Sequence, residues 1–382
     1  MSHVFPRSPS DAAAPFLLRY AAGLAEAGVA VRVVAPHDPG LPDAHDVAGI
    51  PVRRVRYGPD HAEDLAYRGE MHVRVRRPRG AVRAVRLVGA LARTVGDECR
   101  SWGPHVVDVH WLVPGGVVTW LAGVRLPSQV VVHGTDVALV TAGPIRRVVA
   151  RRLLDRFHVV AASSGPLAEE LRSALGRPAD AVAPMPYAAP PADPGPPPGQ
   201  DRILAIGRLV AEKGHADLVE AVATLRAEGR RSVSLTVVGD GPERDRLAAM
   251  AEERDVPLTL PGAVSPADLE ARYARADVVA VPSHREGFGL VAAEALAQQR
   301  PVVASNVGGL AEIVTDGVTG WVVPPRDPRR LKEALAAALD DPDEGRRRAA
   351  AGARRVRERW SAAALGRDAA DRLTRLAASE RD

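Results

Sequence analysis

The stretch that decides the fold is Ser283-His-Arg-Glu-Gly-Phe-Gly-Leu-Val-Ala-Ala-Glu-Ala-Leu-Ala297, preceded by the apolar run Asp277-Val-Val-Ala-Val-Pro282. The short apolar run, bounded by turn signals, predicts a buried parallel strand. A tight Gly-Phe-Gly loop should follow it, with a helix starting near Leu290. Glu286 is then expected at the carboxyl end of a strand, where open α/β sheets bind ligands. Glu294 lies one turn into the helix and should point back toward the same crevice.

This pair of carboxylates can be interpreted in two ways. Glu286 and Glu294 flank a glycine loop whose backbone N–H groups can approach a ligand closely, which suits the many hydroxyl groups of a sugar or a ribose. Two glutamates eight positions apart are also common, and one could cap a helix while the other lies on a solvated face. The neighbouring motifs decide between these interpretations.

The rest of the chain repeats an alternation of strands and helices. In the first half, a short strand at Ser2–Phe5, a helix at about Pro15–Ala27 and a strand at Val29–Ala35 predict a βαβ unit. The pattern starts again with a strand at Arg202–Gly207. Between the halves, Pro184–Gln200 holds eight prolines and predicts a stiff extended linker. The sequence therefore predicts an α/β protein of two domains.

Composition excludes several classes of protein. The 382 residues are 46% hydrophobic and 26% charged, as in ordinary globular proteins. We expect neither a membrane-spanning segment nor a signal peptide. The single cysteine, Cys99, excludes an intramolecular disulfide and fits a reducing cytoplasm. Although the net charge is +4, aromatic residues are only 4% of the chain and no basic patch is interleaved with them, so no nucleic-acid partner is expected.

Two cations follow the first strand of the second half, in Gly207-Arg-Leu-Val-Ala-Glu-Lys-Gly214. Arg208 offers a planar fork for phosphate oxygens and Lys213 a point charge. The chain has 51 basic residues but only two lysines, Lys213 and Lys332, which suggests a local chemical requirement at Lys213. The usual metal signature of two aspartates one residue apart occurs only at Asp341 and Asp343. We interpret those two as surface residues and expect no catalytic metal.

Two further segments of the first half attract attention. His133-Gly-Thr-Asp136 follows an apolar strand, so His133 should face the crevice, although a lone histidine there is often structural. The segment Arg74–Arg93 is basic and helical in pattern, with valines and Leu91 on one face. It could dock on an anionic membrane surface or be a solvated helix of an arginine-rich protein.

Taken together, these motifs resemble glycosyltransferase family 4, the retaining sugar transferases of the GT-B architecture. The resemblance rests on the Glu286-x7-Glu294 run with Gly-Phe-Gly inside it, on the Gly-Arg-x4-Lys-Gly loop, and on His133-Gly-Thr-Asp136. It covers the chain from Arg202 to about Leu339 most specifically. The implied fold is GT-B, with two Rossmann-like domains facing across a central cleft.

The resemblance also implies roles. Arg208 and Lys213 would clamp the diphosphate, Glu286 and His133 would contact the donor sugar, and Glu294 would bind the ribose. The catalytic residues would be Arg208, Lys213, Glu286 and His133; the donor-binding set would add Glu294, Gly207, Gly239, Gly287, Phe288, Gly289, Leu290 and Asp136. The acceptor hydroxyl would attack on the face that the diphosphate leaves, and a phosphate oxygen would take its proton. The glycines Gly308 and Gly309 would open a helix whose N-terminus adds positive charge.

The expected partners are a nucleotide diphosphate sugar, with UDP favoured over GDP, and a hydroxyl acceptor that is a small metabolite, a lipid or a glycan. Residues 1–190 would form the acceptor-side domain and 191–360 the nucleotide-sugar-binding domain. Residues 361–382 would form a helix that packs back on the first domain, with Trp360 as anchor near its start. The expected compartment is the cytoplasm, with peripheral contact at the inner membrane face as an option, and the oligomeric state stays open.

One departure from the family keeps alternatives open. Many members carry paired glycines after the first strand, whereas Arg7–Ala14 has none. Either this loop is rebuilt or the start of the chain is misplaced. The rivals to a transferase are a catalytically silent, nucleotide-binding partner subunit and a sugar-nucleotide reaction on the same fold that forms no glycosidic bond.

Overall fold

The computed structural model describes residues 1–11, 13–68, 71–187, 195 and 197–379, without the side chains at positions 72 and 73. Contacts divide the chain into two units: Met1–Pro186 together with Ala362–Asp382, and Tyr187–Ser361. The predicted boundary at 190/191 falls on positions outside the described residues. Each unit is an α/β structure whose strands are mainly parallel, which confirms the predicted fold class.

The first unit contains two groups of paired strands. The elements of this part of the chain are β1 (Val33–Pro36), β2 (Ala44–Val47), β3 (Ile50–Val55), β4 (Val107–His110), β5 (Ser128–Val132), β6 (Val159–Ala162), β7 (Ala181–Val182), α1 (Pro15–Glu26), α2 (Met71–Arg74), α3 (Pro78–Ser101), α4 (Leu112–Leu121), α5 (Thr135–Thr141), α6 (Pro144–Leu154) and α7 (Gly165–Leu175), with a 3₁₀ turn at Asp60–Ala62. One group has the order β1-β3-β2, with β2 antiparallel, and the other is the parallel set β4-β5-β6-β7.

The predicted first strand at Ser2–Phe5 is wrong in extent. Only Ser2 pairs, in an isolated parallel bridge with His110, while its N–H donates to Val34 O at 3.2 Å. Pro6 cannot donate to a ladder, and a run of four residues before it is too short to propagate one. Ser2 nevertheless contacts both β1 and β4, so this single residue joins the two groups of strands.

The second unit has a six-stranded parallel sheet. Its elements are β8 (Arg202–Ile206), β9 (Ser234–Val238), β10 (Leu258–Gly262), β11 (Val278–Val281), β12 (Val302–Ser305), β13 (Trp321–Val323), α8 (His215–Ala227), α9 (Arg244–Glu253), α10 (Pro266–Arg275), α11 (Leu290–Ala297), α12 (Leu310–Ile313), α13 (Pro328–Asp340) and α14 (Pro342–Trp360), with a 3₁₀ turn at Ala211–Lys213. The strand order β10-β9-β8-β11-β12-β13 is that of the doubly wound dinucleotide-binding fold.

Apolar strands and helix faces form the core of this second unit. Val278, Val279 and Ala280 of β11 are buried on both faces, as expected for a central parallel strand. Leu218 and Val222 of α8 share one buried cluster with Val278 and Ala280. The helix α11 begins at Leu290, as predicted from the Gly-Phe-Gly loop.

The last helix, α15 (Ala362–Ala378), belongs to the first unit and packs on α1. Two glycines allow the close crossing, since a Cβ at Gly23 would lie 2.5 Å from the carbonyl oxygen of Ala362 and one at Gly366 2.6 Å from Gly23 Cα. Trp360 was expected to anchor this helix near its start. Trp360 ends α14, and its ring lies 6.0 Å from Phe288 within the second unit.

Candidate active site

The loops after β8 and β11 meet at the switch point of the second sheet. Connections run outward from these adjacent strands in opposite directions, and such a point leaves a crevice at the carboxyl ends of the strands. The loop after β8 begins with Gly207, whose N–H donates to Val238 O at 2.9 Å beside Gly239. It carries Arg208 and Lys213, and the loop after β11 carries Glu286.

Lys213 and Glu286 form a direct ion pair. Lys213 Nζ lies 2.7 Å from Glu286 Oε2, and the Ser283 hydroxyl donates to the same oxygen at 3.2 Å. Both side chains are mostly buried, with exposed fractions of 23% and 16%. The structure thus brings together a cation and a carboxylate that were predicted for different parts of one ligand.

Two glycines allow these loops to approach Glu286. A Cβ at Gly214 would lie 2.0 Å from the carbonyl oxygen of Pro282, and one at Gly308 would lie 1.8 Å from that of Glu286. Both glycines have positive φ, +67° and +48°, which side chains rarely adopt. His284 adds a further tie, because its Nε2 lies 2.7 Å from Asp217 Oδ2 on α8. The position of the Glu286 loop is therefore fixed from both sides.

Arg208 differs from Lys213 in its surroundings. Its residue is exposed, and in the described part of the chain its side chain makes no ion pair or hydrogen bond. A guanidinium on a loop at the carboxyl edge of the sheet is free to bind an anion. The site therefore offers one neutralised cation and one available cation.

Glu294 lies in α11, as predicted. The hydroxyl of Tyr273 on α10 lies 3.4 Å from Glu294 Oε2, and burial raises the pKa of that tyrosine well above its usual value. Within the loop Gly287-Phe-Gly-Leu290, the Phe288 ring is buried against Trp360. Its side chain is thus committed to packing, so any contact of Phe288 with a ligand must come from its backbone.

The helix expected after Gly308 and Gly309 is present and short. It is the single turn α12, four residues long. A macrodipole needs several aligned peptide units, so this end contributes little positive potential. The role of Gly308 in the structure is the close approach to Glu286.

His133 and Asp136 belong to the first unit. The Asp136 carboxylate accepts hydrogen bonds from the backbone N–H groups of His133 and Leu112, both at 2.9 Å, so it holds two loops together. His133 packs beside Trp111, with ring centroids 4.4 Å apart, and its Nε2 lies 3.0 Å from His110 Nδ1. Burial, followed by the nearby His110, lowers the pKa of His133 well below its usual value, so His133 is neutral near pH 7.

In each unit, sequence reasoning missed polar residues that lie near the predicted ones. Ser283 stands three positions before Glu286, a spacing that could have identified it. His215, which follows Gly214, is buried with neither ring nitrogen hydrogen-bonded among the described residues. Burial, followed by the charge of Lys213, lowers the pKa of His215 to about 4. Asp108 and Tyr20, which bond to each other near His110, gave no sequence signal.

Ion pairs engage the glycine-free loop that begins at Arg7. Arg7 bonds to Asp11 at 2.6 Å and to Asp38 at 2.7 Å, and Arg68 reaches Asp38 at 2.9 Å. These ion pairs tie Arg7 and Arg68 to Asp11 and Asp38 without a glycine between Arg7 and Asp11.

The carboxylates with metal-like spacing have other partners. Asp341 caps α14 by accepting from Glu344 N at 2.9 Å, and Asp343 pairs with Arg346. Elsewhere, ligand atoms of His37, Asp60 and Glu63 lie within 4.8 Å of one another. Hydrogen bonds already engage this group, because His37 Nδ1 bonds to Glu63 and its Nε2 faces Leu41 O at 2.7 Å.

In the described part of the chain, no helix combines the length and the apolar character needed to cross a bilayer. The basic segment at 74–93 was predicted as one helix and is interrupted in the structure, since α2 ends at Arg74 and α3 begins at Pro78. Val82 and Val85 on α3 are exposed by 54% and 74%, whereas Leu91 is buried. The apolar residues of α3 are thus exposed near its N-terminus, at Val82 and Val85, and buried further along, at Leu91.

Comparison with known proteins gives a family match in each half of the chain. A family model described as "Glycosyl transferase 4-like domain" matches residues 12–188, and one described as "Glycosyl transferases group 1" matches residues 190–356. The glycogen synthase of Mycobacterium tuberculosis (strain CDC 1551 / Oshkosh) is 33% identical over 291 residues, which are 70% of this chain and 68% of that protein.

Two solved structures share the fold over nearly the full length. Sucrose-phosphate synthase from Thermosynechococcus elongatus has a TM-score of 0.78 at 24% identity, covering 95% of this chain and 93% of its own. HepE of Anabaena, solved in complex with UDP and glucose, has a TM-score of 0.71 at 20% identity, covering 94% and 95%. At these identities the likeness establishes the fold alone.

Proposed function

We propose that this chain, which belongs to the family 4 glycosyltransferases of GT-B fold, moves a sugar with retention from a nucleotide diphosphate sugar to a hydroxyl acceptor without a catalytic metal. Membership of the family makes it a glycosyltransferase. The observation that carries the finer proposal is the Lys213–Glu286 pair beside Arg208 at the switch point.

The leaving diphosphate must be stabilised as charge develops on it. Arg208 supplies an available guanidinium, and Lys213 supplies a cation already oriented by Glu286 Oε2 at 2.7 Å. A preorganised cation such as Lys213 needs no reorganisation when the bond between the sugar and the diphosphate breaks. We assign the diphosphate to Arg208 and Lys213, and the ribose to Glu294.

Retention follows from a front-face path in this proposal. The acceptor hydroxyl attacks the anomeric carbon on the side that the diphosphate leaves, and a phosphate oxygen takes its proton. A covalent path would need a carboxylate nucleophile on the opposite face. Glu286 is assigned to the sugar hydroxyls instead, because Lys213 and Ser283 hold its Oε2 in place. His133 is assigned a hydrogen bond to the donor sugar.

UDP is the proposed nucleotide, in preference to GDP, since the HepE structure of the same fold holds UDP and glucose. The acceptor is a hydroxyl of a small metabolite, a lipid or a glycan. The cytoplasm is the proposed compartment, which a single cysteine fits. Peripheral contact with a membrane is proposed through α3, where exposed Val82 and Val85 stand among arginines.

The first test is a thermal-shift panel with UDP, GDP, ADP and dTDP in the presence of a chelator. A ligand at a hundredfold excess over its Kd stabilises the folded state by about 2.7 kcal/mol. We expect a shift with UDP that is lost in Lys213→Ala and Glu294→Ala and kept in Lys332→Ala, which changes the other lysine. No shift with any nucleotide would contradict the donor site and favour a silent partner subunit.

A second test follows the sugar itself. Wild-type protein incubated with an α-linked UDP-sugar should slowly release free sugar, and ¹H NMR should detect the α-anomer before mutarotation. Initial release of the β-anomer would contradict retention. Consumption of donor without any free sugar or glycoside would favour the non-glycosidic reaction.

A further inference from the structure

Behind His133 lies a line of polar side chains that the proposed function does not use. Asp108 and His110 stand on β4, two positions apart and hence on one face of the strand. Gln129 on β5 is in register with Asp108. His110 Nδ1 lies 3.0 Å from His133 Nε2, so the line runs from the interior of the sheet to the loop that carries His133.

The direction of each hydrogen bond in this line can be assigned by starting from Arg372. Arg372 on α15 can only donate hydrogen bonds, and its Nε lies 2.7 Å from Gln129 Oε1. The side-chain oxygen of Gln129 therefore faces Arg372, and its NH₂ group faces Asp108. Gln129 Nε2 then donates to Asp108 Oδ1 at 2.9 Å, and the Tyr20 hydroxyl donates to Asp108 Oδ2 at 2.8 Å. Two donors on one mostly buried carboxyl group keep Asp108 ionised.

The ionised Asp108 determines which proton His110 carries. His110 Nε2 faces Asp108 Oδ2 at 3.6 Å, an electrostatic contact that favours N–H over a lone pair at that nitrogen. With its proton on Nε2, His110 has a lone pair on Nδ1, which then accepts the Nε2–H of His133.

We propose that Asp108 and His110 are positioning residues that hold His133 in the Nε2–H tautomer, so that His133 Nδ1 is presented as a hydrogen-bond acceptor for a hydroxyl group of the donor sugar. This inference rests on the proposed function, in which His133 serves the sugar. No hydrogen bond engages His133 Nδ1 among the described residues. Trp111 and Phe16 pack against the ring at centroid distances of 4.4 and 5.6 Å, which restricts its rotation.

Tautomers are read directly by NMR of protein labelled with ¹⁵N-histidine, with His133 assigned by its absence in His133→Gln. In the free wild-type protein at pH 7.5 we expect Nε2 of His133 protonated and Nδ1 bare. An Nδ1–H tautomer or a doubly protonated His133 overturns the proposal. This measurement needs no ligand, so it stands even if the chain binds no nucleotide sugar.

The variants His110→Asn and His110→Leu form a matched pair, because the Asn Oδ1 can stand where Nδ1 accepts and Leu cannot accept. His110→Asn should keep the His133 tautomer, with kcat/KM for the UDP-sugar within threefold of wild type. His110→Leu should leave His133 exchanging between tautomers and lower kcat/KM by 10- to 100-fold, with the Kd for UDP changed less than twofold.

A His110→Leu protein with unchanged His133 spectrum and kinetics overturns the proposal, as does a Kd for UDP that rises in step with the fall of kcat/KM. If His110→Leu does not fold, the wild-type and His110→Asn spectra decide alone. Absence of UDP binding by the wild type contradicts the proposed function only, since the tautomer is measured separately.

Discussion

Lys213 Nζ lies 2.7 Å from Glu286 Oε2, although 73 positions separate the two residues in the chain. The pair forms because β8 and β11 are neighbours in the sheet, and because Gly214 lets the lysine loop reach the backbone at Pro282. A ligand that binds Lys213 must therefore also affect Glu286.

Removal of the lysine charge should affect both stability and catalysis. Lys213→Met leaves Glu286 mostly buried without its cation, and the loss of one partner from such a pair costs roughly 1–3 kcal/mol. We expect a fall in kcat of roughly 100-fold or more, since a charge aimed at the leaving group is lost. Chemical denaturation and initial rates of donor hydrolysis measure the two effects.

Lys332→Met is the matched control. Lys332 pairs with the exposed Glu228 at 3.0 Å, so its loss should cost under about 1 kcal/mol and leave kcat unchanged. Equal effects of the two substitutions would mean that Lys213 has only a surface role.

The two lysines also allow a labelling test. UDP should shield Lys213 from acetylation, because the ε-amino group would contact the diphosphate, while Lys332 remains reactive. Peptide mass spectrometry should show acetylation of Lys213 slowed at least fivefold by saturating UDP. Equal rates at Lys213 with and without bound UDP would place the diphosphate elsewhere.

Gly308→Ala should damage the site through the backbone. A Cβ there would lie 1.8 Å from the Glu286 carbonyl oxygen, so the loop must move, at a cost of roughly 2–4 kcal/mol. We expect a lower melting temperature and a loss of UDP binding at the same protein concentration.

Gly317→Ala is the control for backbone conformation alone. Gly317 also has positive φ, +72°, but nothing lies within 4 Å of its Cβ position. The substitution should lower the free energy of unfolding by roughly 1–2 kcal/mol, the cost of placing alanine in the left-handed backbone region. UDP binding should be unchanged. A Gly308→Ala protein that binds UDP like Gly317→Ala would show that the loop tolerates displacement.

His215 should make the protein sensitive to mild acid. Its pKa is lowered to about 4 in the folded state, first by burial and then by Lys213. The unfolded histidine takes up a proton near pH 6.5, so the unfolded state binds more protons between these values. The free energy of unfolding should therefore fall as the pH drops from 6.5 toward 4, by about 2 kcal/mol at pH 5 for this residue.

Melting temperatures at pH 7 and pH 5 test this expectation. The drop should be smaller for His215→Leu than for wild type, because the variant has no group to titrate at that position. An identical drop in both proteins would mean that His215 gains its proton without unfolding.

Sequence patterns predicted the second half of the chain well. The run Asp277–Pro282, the Gly-Phe-Gly loop and the helix from Leu290 lie where the apolar spacing placed them. Local signals sufficed here because each element is short, strongly apolar and bounded by glycine or proline. The first half was predicted less well, since Ser2–Phe5 forms only a bridge and the segment 74–93 is broken before Pro78.

The sequence by itself determined the kinds of groups available: two cations after one strand, two carboxylates around a glycine loop, and a histidine after another strand. Only the tertiary structure decided their pairings, namely Lys213 with Glu286 and His133 with His110. Strand order sets which loops meet, and strand order depends on packing across the whole sheet rather than on neighbours in sequence. Packing rather than position in the chain also assigns the last two helices: the helix ending at Trp360 belongs to the second unit. The helix α15 packs on α1 in the first unit, where two glycines allow the close approach.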